Sequence, residues 1–173
     1  MNPQIGVPAS RRLLELSQDE IEGMLVENAD EPFAKEIALE ISKALQNGRF
    51  IETTKDLYKV IQKALSTLPK AIQEESIKKA AQRTFQALRI DVNQEYQVLY
   101  DLLEKIPVLL NKGGRAAILT FHSGEDRLVK KAFQYYQRQG IYSSVVGPVL
   151  PSLEEVHDNP RARSAKLRCA IKG

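Results

Sequence analysis

The chain has 173 residues, 43% apolar and 27% charged, with one cysteine, no tryptophan and a formal net charge of +3. This composition is ordinary for one globular domain, or for a sheet domain with a small helical appendage. It excludes an internal disulfide and a cysteine-based zinc site.

No apolar run reaches the ~18 residues of a membrane span. The opening Met1-Asn-Pro-Gln-Ile-Gly6 has neither the basic start nor the apolar core of a signal peptide. The expected compartment is therefore the reducing cytoplasm, with no membrane partner. Charge is uneven: residues 1–75 carry 9 Lys/Arg against 13 Asp/Glu, and residues 76–173 carry 16 against 9. A basic second half fits a nucleic-acid or phosphate-rich partner; it fits a merely solvated surface equally well.

In chain order, residues 1–10 read as extended or looped. Ser17-Gln-Asp-Glu20 has capping-box spacing and predicts a helix to about Asn28. Asp30-Glu-Pro32 starts the next helix, with Pro where its missing N–H costs little. Its stripe is Phe33, Ala34, Ile37, Ala38, Ile41, Ala44 and Leu45, closed by Asn47-Gly48. Thr53-Thr-Lys-Asp56 opens a third helix, with Leu57, Val60, Ile61, Ala64 and Leu65 on one face, and Pro69 is expected to stop it. A helical pattern then runs from Ile72 to Lys105, with a break expected near Ile90, and Pro107 is expected to end it. Lys112-Gly-Gly-Arg115 turns into a strand over Ala116–Phe121. A helix from Glu125 to about Gln139 follows, with Ser123 as its expected N-cap. Short strands are expected over Tyr142–Val146 and Ser164–Ile171, and Cys169, in the apolar alternation of the last one, reads as a packing residue. Three strands are few for a twisted sheet with helical cover. The pattern reads as the tail of an α/β domain whose first strands are absent.

Two polar segments stand out. After the apolar run Ala116–Phe121 come His122, Ser123, Glu125, Asp126 and Arg127, at a strand-to-helix junction where open α/β sheets place ligands. Asn159-Pro-Arg-Ala-Arg-Ser-Ala-Lys-Leu-Arg168 then puts Arg161, Arg163, Lys166 and Arg168 on or before the last strand. Together they suggest a site for a polyanion such as an RNA backbone; on a plain edge strand the same cations would instead guard against aggregation. His122 has the titration range of a general base or a ligand-orienting group, although Glu125 and Asp126 are also favoured simply by a helix N-terminus. Arg83, Gln86, Arg89 and Asn93 lie three to four apart and form one polar ridge. The ridge either offers guanidinium forks to phosphate or anchors the helix to nearby loops. There is no Gly-x-Gly-x-x-Gly, no P-loop and no Cys/His set with metal spacing.

Gly113-Gly-Arg115 with Phe121-His-Ser-Gly-Glu-Asp-Arg127, Arg83-Thr-Phe-Gln-Ala-Leu-Arg89 and Asn159–Arg168 resemble the RsmH (MraW) family. Its members are S-adenosyl-L-methionine-dependent enzymes that methylate the N4 amino group of a cytidine in 16S ribosomal RNA. Met1-Asn-Pro and Asp30-Glu-Pro-Phe-Ala-Lys35 resemble two further segments of the family, so the whole chain is covered in order. The resemblance implies the C-terminal part of a Rossmann-like methyltransferase sheet with a helical insertion, its first strands absent. Residues 1–9 would be a loop, 10–80 the helical insertion and 81–173 the return to the α/β domain.

The resemblance also implies that Arg83, Arg89, His122, Ser123, Arg127, Asn159, Arg161 and Arg163 face substrate RNA. Asn2 and His122 are the catalytic candidates, Asn2-Pro3 being similar to the loop with which other amino-methyltransferases hold an exocyclic amine. No cofactor-binding position falls on this chain, and no metal is implied. The partners implied are 16S rRNA or the small ribosomal subunit, and a missing N-terminal half or a second chain. The chain departs from the family pattern at Asn2 (usually Asp), Pro32 (usually basic) and Gly124 (usually Leu). Two rival expectations are a non-catalytic RNA- or ribosome-binding remnant of the family, and a structural piece associating through an unfilled sheet edge.

Overall fold

A computed structural model describes residues 7–173; Asn2 and the Met1–Gly6 opening lie outside the described residues. The described chain forms two compact units, one reaching Glu95 and one running Tyr96–Gly173. The 80/81 division implied by the resemblance concerns the origin of the segments; compaction divides at Glu95/Tyr96.

The first unit is helical: α1 (Ala9–Glu15), α2 (Gln18–Ala29), α3 (Ala34–Gln46), α4 (Thr54–Ala64) and α5 (Lys70–Asn93). Helix α1 begins inside the segment expected to be looped, because Pro8 is extended and hands its carbonyl to Arg11 and Arg12 N–H. Both capping boxes form: Ser17 with Glu20, and Thr53 with Asp56. These are bonds between residues three apart, so they are decided locally. Helix α4 does not run to Pro69. It closes at Leu65, and Pro69 is instead the N-cap of α5, where its missing N–H and fixed φ are compatible with a helix start. The core joins Ile21, Leu25, Ile37, Ile41, Ile61 and Leu88, among others. The break in the long helical run is at Gln94, in left-handed geometry (φ 50°), rather than near Ile90.

The second unit contains most of α6 (Glu95–Leu109), then β1 (Arg115–Thr120), α7 (Ser123–Arg138), β2 (Tyr142–Val149), α8 (Leu153–Asp158), a 3-10 turn (Pro160–Ser164) and β3 (Lys166–Lys172). Pro107 does not end α6. It lies buried in the final turn, where few helical bonds remain to be lost. The sheet is mixed in with helices, three-stranded and fully antiparallel, in the order β1-β3-β2. Opposed pairs place Ala116, Ile118 and Thr120 on the same face as Arg168, Ala170 and Val145. That face packs with Leu99, Leu103, Val129 and Phe133 from α6 and α7. Among the described residues, no helix is long and apolar enough to cross a membrane.

Candidate nucleic-acid interface

The polar segment after β1 is organised by the start of α7. His122, not Ser123, is the N-cap: its Nδ1 accepts the Glu125 N–H at 3.4 Å. Glu125 reaches back, its Oε2 accepting the Phe121 N–H at 3.0 Å. The imidazole therefore replaces the hydroxyl expected to cap the helix, and Ser123 becomes the first helical residue. His122 Nε2 lies 3.3 Å from Glu125 Oε1 but off the line of a good hydrogen bond. With Nδ1 committed to the cap, only Nε2 is left for any proton chemistry. The ring is tilted against Tyr96, centroids 5.9 Å apart. A Cβ at Gly124 would run into the Tyr96 hydroxyl, so Tyr96 occupies the space into which a side chain at position 124 would grow. Ser123 and Arg127 are exposed on the same first turns.

Asp126 faces inward. Arg168 donates to it through Nε (2.7 Å) and Nη2 (3.1 Å), and Nη1 donates to the Gly147 carbonyl at 3.3 Å. Lys166 stands 3.7 Å from the same carboxylate. The Arg168 guanidinium, donating to Asp126, holds its carboxyl below the usual carboxylate range, against the opposing effect of burial. Arg168 thus leaves the polyanion-facing set expected from sequence and serves as a buried tie between α7, β3 and β2. The strand's own pattern points the wrong way: Leu167, Cys169 and Ile171 alternate with Arg168 and Ala170, so alternation alone turns Arg168 outward.

The second polar segment is built to present arginines. Asn159 Oδ1 accepts the Arg161 N–H at 3.3 Å, and Pro160 opens the 3-10 turn. Ala162 and Ala165 are buried and pin the turn. Arg161 and Arg163, on either side of Ala162, are exposed, with no ion pair to an acid among the described residues. Register joins the two segments: Thr120 opposes Lys166, so the His122–Arg127 loop leaves the same end of the sheet that the Asn159–Ser164 turn enters. The structure therefore brings His122, Ser123, Arg127, Asn159, Arg161 and Arg163 to one sheet end.

Arg83 and Arg89 belong to the helical unit. Arg83 Nη1 lies 3.8 Å from Glu31, and Arg89 meets Glu95 at 3.0 Å. Gln86 Nε2 donates to the Asn28 carbonyl, and Asn93 Nδ2 to that of Arg89. This ridge does the anchoring of the second alternative, while both arginines keep partly exposed guanidinium groups. Glu31 has a fully buried side chain, and burial pushes its carboxyl above the ordinary range despite the Phe33 N–H it accepts. One surface of this unit has no counterpart among the residues picked from sequence. A groove of about 400 Å³ is lined by Arg49, Phe50, Lys59 and Val60, with Phe50 68% exposed. Its acids are already paired, Glu40 with Lys63 of the same lining and Asp56 in the Thr53 cap. An isolated Phe after an Asn-Gly-Arg turn carries no periodic signal, which is why pattern reading passes over it.

A methyl-donor cofactor requires a backbone cradle, and the Gly113-Gly114 turn does not offer one. The Gly-Gly turn spends its amides internally, Gly113 N–H on the Lys172 carbonyl (3.0 Å) and Gly114 N–H on that of Asn111 (2.8 Å). The sheet end of the second unit exposes Arg127, Arg161 and Arg163, and the helical unit by itself carries the partly exposed Arg83 and Arg89.

A profile of the MraW methylase family matches residues 1–173. The chain belongs to the MraW methylase family. It is 64% identical over 173 residues to "Ribosomal RNA small subunit methyltransferase H 2" of Acholeplasma laidlawii, covering 100% of this chain and 50% of that protein. It is 58% identical to "Ribosomal RNA small subunit methyltransferase H 1" of Lachnoclostridium phytofermentans, over 99% of the chain and 47% of the relative. A methyltransferase H of Thermosipho africanus is 40% identical over 154 residues. This MraW-family chain spans about half the length of the curated relatives it matches.

Proposed function

We propose that the chain is the RNA-facing part of an S-adenosyl-L-methionine-dependent methyltransferase acting on the N4 amino group of a cytidine in 16S rRNA. The match along its entire length to relatives named as methyltransferases of small-subunit ribosomal RNA carries this reading. Arg161 and Arg163, exposed beside the Asn159 cap, would contact phosphates, with Arg127 and Ser123 across the same sheet end. His122 would shape the loop near the target base. Arg83 and Arg89 would add contacts from the helical unit, and the Arg49–Phe50–Lys59 groove offers a stacking face flanked by cations. Asn2 stays a candidate for holding the amine.

The cofactor would be held by strands of a Rossmann-like sheet supplied from the length that the relatives have and this chain does not span. The chain's own residues bind and orient RNA, and the site of action is the small ribosomal subunit in the cytoplasm.

Filter binding to a 16S rRNA fragment and tritium transfer from labelled cofactor test the proposal. The chain alone should bind RNA and transfer nothing. Transfer should appear when the unmatched portion of the Acholeplasma laidlawii relative is supplied. RNA binding without transfer in that mixture would favour a non-catalytic remnant, and absence of RNA binding would sink both readings.

A further inference from the structure

The grooves of the helical unit meet around the first turns of α4. The Phe50 groove shares Lys59 with a second groove of about 400 Å³, lined by Thr54, Lys55, Tyr58, Lys59, Gln62 and Phe85. Positions 55, 58, 59 and 62 lie on one face of α4. Lys59 stands at the border of that face, with Tyr58 and Phe85 on one side and Phe50 and Val60 on the other. No acid lines the second groove. Asp56, the only acid of α4, already accepts from the Thr53 hydroxyl and N–H. Arg49, Lys55 and Lys59 are exposed, and none of them makes a salt bridge among the described residues.

A row of lysines alone would be a solvated helix face. Two rings left in water on either side of one lysine add nothing to solubility: Phe50 is 68% exposed and Tyr58 36%. A bare ring accepts a stacked base, and a cation beside it takes the adjoining phosphate. Bases within a duplex stack on one another, so their faces are closed to such rings, whereas unstacked bases of a single strand are free to reach them. We propose that this side of α4 is a two-base platform for single-stranded RNA. One base stacks on Phe50, a neighbouring base lies against Tyr58 and Phe85, and Lys59 holds the phosphate between them. Arg49 and Lys55 meet the phosphates on either side. The proposal rests on the RNA reading and adds to it the form of RNA that the helical unit takes.

Fluorescence anisotropy with the full chain tests it, using a labelled single-stranded 16S rRNA fragment and the same fragment annealed to its complement. The single strand should bind more tightly than the duplex. Tyr58→Ala should weaken single-strand binding roughly fivefold or more, with Tyr58→Phe close to wild type and duplex affinity unmoved. Phe50→Ala with Tyr58→Ala should lose more than either alone. Lys59→Ala, at an exposed position, should lower the slope of log affinity against log salt by about 0.7, and this readout holds even where Tyr58→Ala fails to fold. Unchanged single-strand affinity in a folded Tyr58→Ala, an equal loss on the duplex, or an unchanged salt slope in Lys59→Ala overturns the platform. If Arg161→Glu with Arg163→Glu still weakens binding in that case, the platform alone falls and the RNA reading stands. Failure of the wild-type chain to bind either probe removes both.

Discussion

Removing the Asp126 carboxylate by Asp126→Asn tests the tie that holds the sheet end together. The Arg168 side chain is 7% exposed and that of Asp126 12%. Asparagine keeps one oxygen to accept from Arg168 but removes the countercharge and the second acceptor, leaving a buried cation with only that amide oxygen and the Gly147 carbonyl at 3.3 Å. Breaking a buried pair from one side costs about 3–5 kcal/mol, a large part of the 5–15 kcal/mol typical of a folded protein. Arg168→Met should cost less, because Lys166 at 3.7 Å still faces the carboxylate. Replacing both, Asp126→Leu with Arg168→Met, should recover most of the loss, since no charge is then stranded.

Urea unfolding followed by tyrosine near-ultraviolet dichroism reads this unit. Five of the six tyrosines (Tyr96, Tyr100, Tyr135, Tyr136 and Tyr142) lie beyond Glu95, and there is no tryptophan. The Asp126 carboxyl is held low by Arg168, so its stabilisation is fully present above the ordinary aspartate value and is lost as pH falls through the depressed one. The gap between wild type and Asp126→Asn should therefore be flat at neutral pH and close on acidification below about pH 4. An Asp126→Asn cost under about 1 kcal/mol, or a double variant no better than the single, would refute the buried-tie account.

Glu31 has the opposite sign. Burial raises its carboxyl, so its contribution is favourable below the unfolded value and is lost as pH rises through the folded one. Glu31→Gln keeps an acceptor for the Phe33 N–H and should leave the helical unit equally or more stable at pH 7, by far-ultraviolet melting. A loss above about 1 kcal/mol would mean that the Arg83 contact outweighs burial. Gly124→Leu should displace Tyr96 and disturb the His122 cap, costing roughly 1–3 kcal/mol of overpacking in the second unit; an unperturbed Tyr96 resonance in NMR would contradict it. Arg161→Glu with Arg163→Glu should weaken 16S fragment binding and flatten its salt dependence by about two phosphate contacts' worth, leaving the melting temperature alone; an unchanged slope would remove both from the interface. Phe50→Ala should weaken RNA binding by about 1–3 kcal/mol, with Phe50→Tyr retaining it. Equal affinity for all three proteins would exclude stacking there.

Features set by contacts within one turn were legible from the chain. Ser17 with Glu20 and Thr53 with Asp56 cap their helices as spaced, and the α3 stripe is buried as its period demands. The family was legible too, because its motifs are strings of residues. Errors gathered where two local answers compete. His122 and Ser123 can each cap a helix, and the Glu125 bond to Phe121 N–H selects a start at Ser123. Prolines mark helix limits, but Pro69 opens a helix and Pro107 is absorbed by one.

Residue order by itself determined where the three strands and most of the longer helices lie, which residues carry charge, and that the chain belongs to a methyltransferase family and has a basic second half. It could not determine which side of β3 meets the helices. Alternation divides a strand into two faces but does not name the covered one, because cover comes from elements far away in sequence. Only the register of β1 and β2 against β3, and the bond that Arg168 donates to Asp126 across forty-two positions, show Arg168 and Ala170 turned inward and Leu167, Cys169 and Ile171 left on the half-buried side.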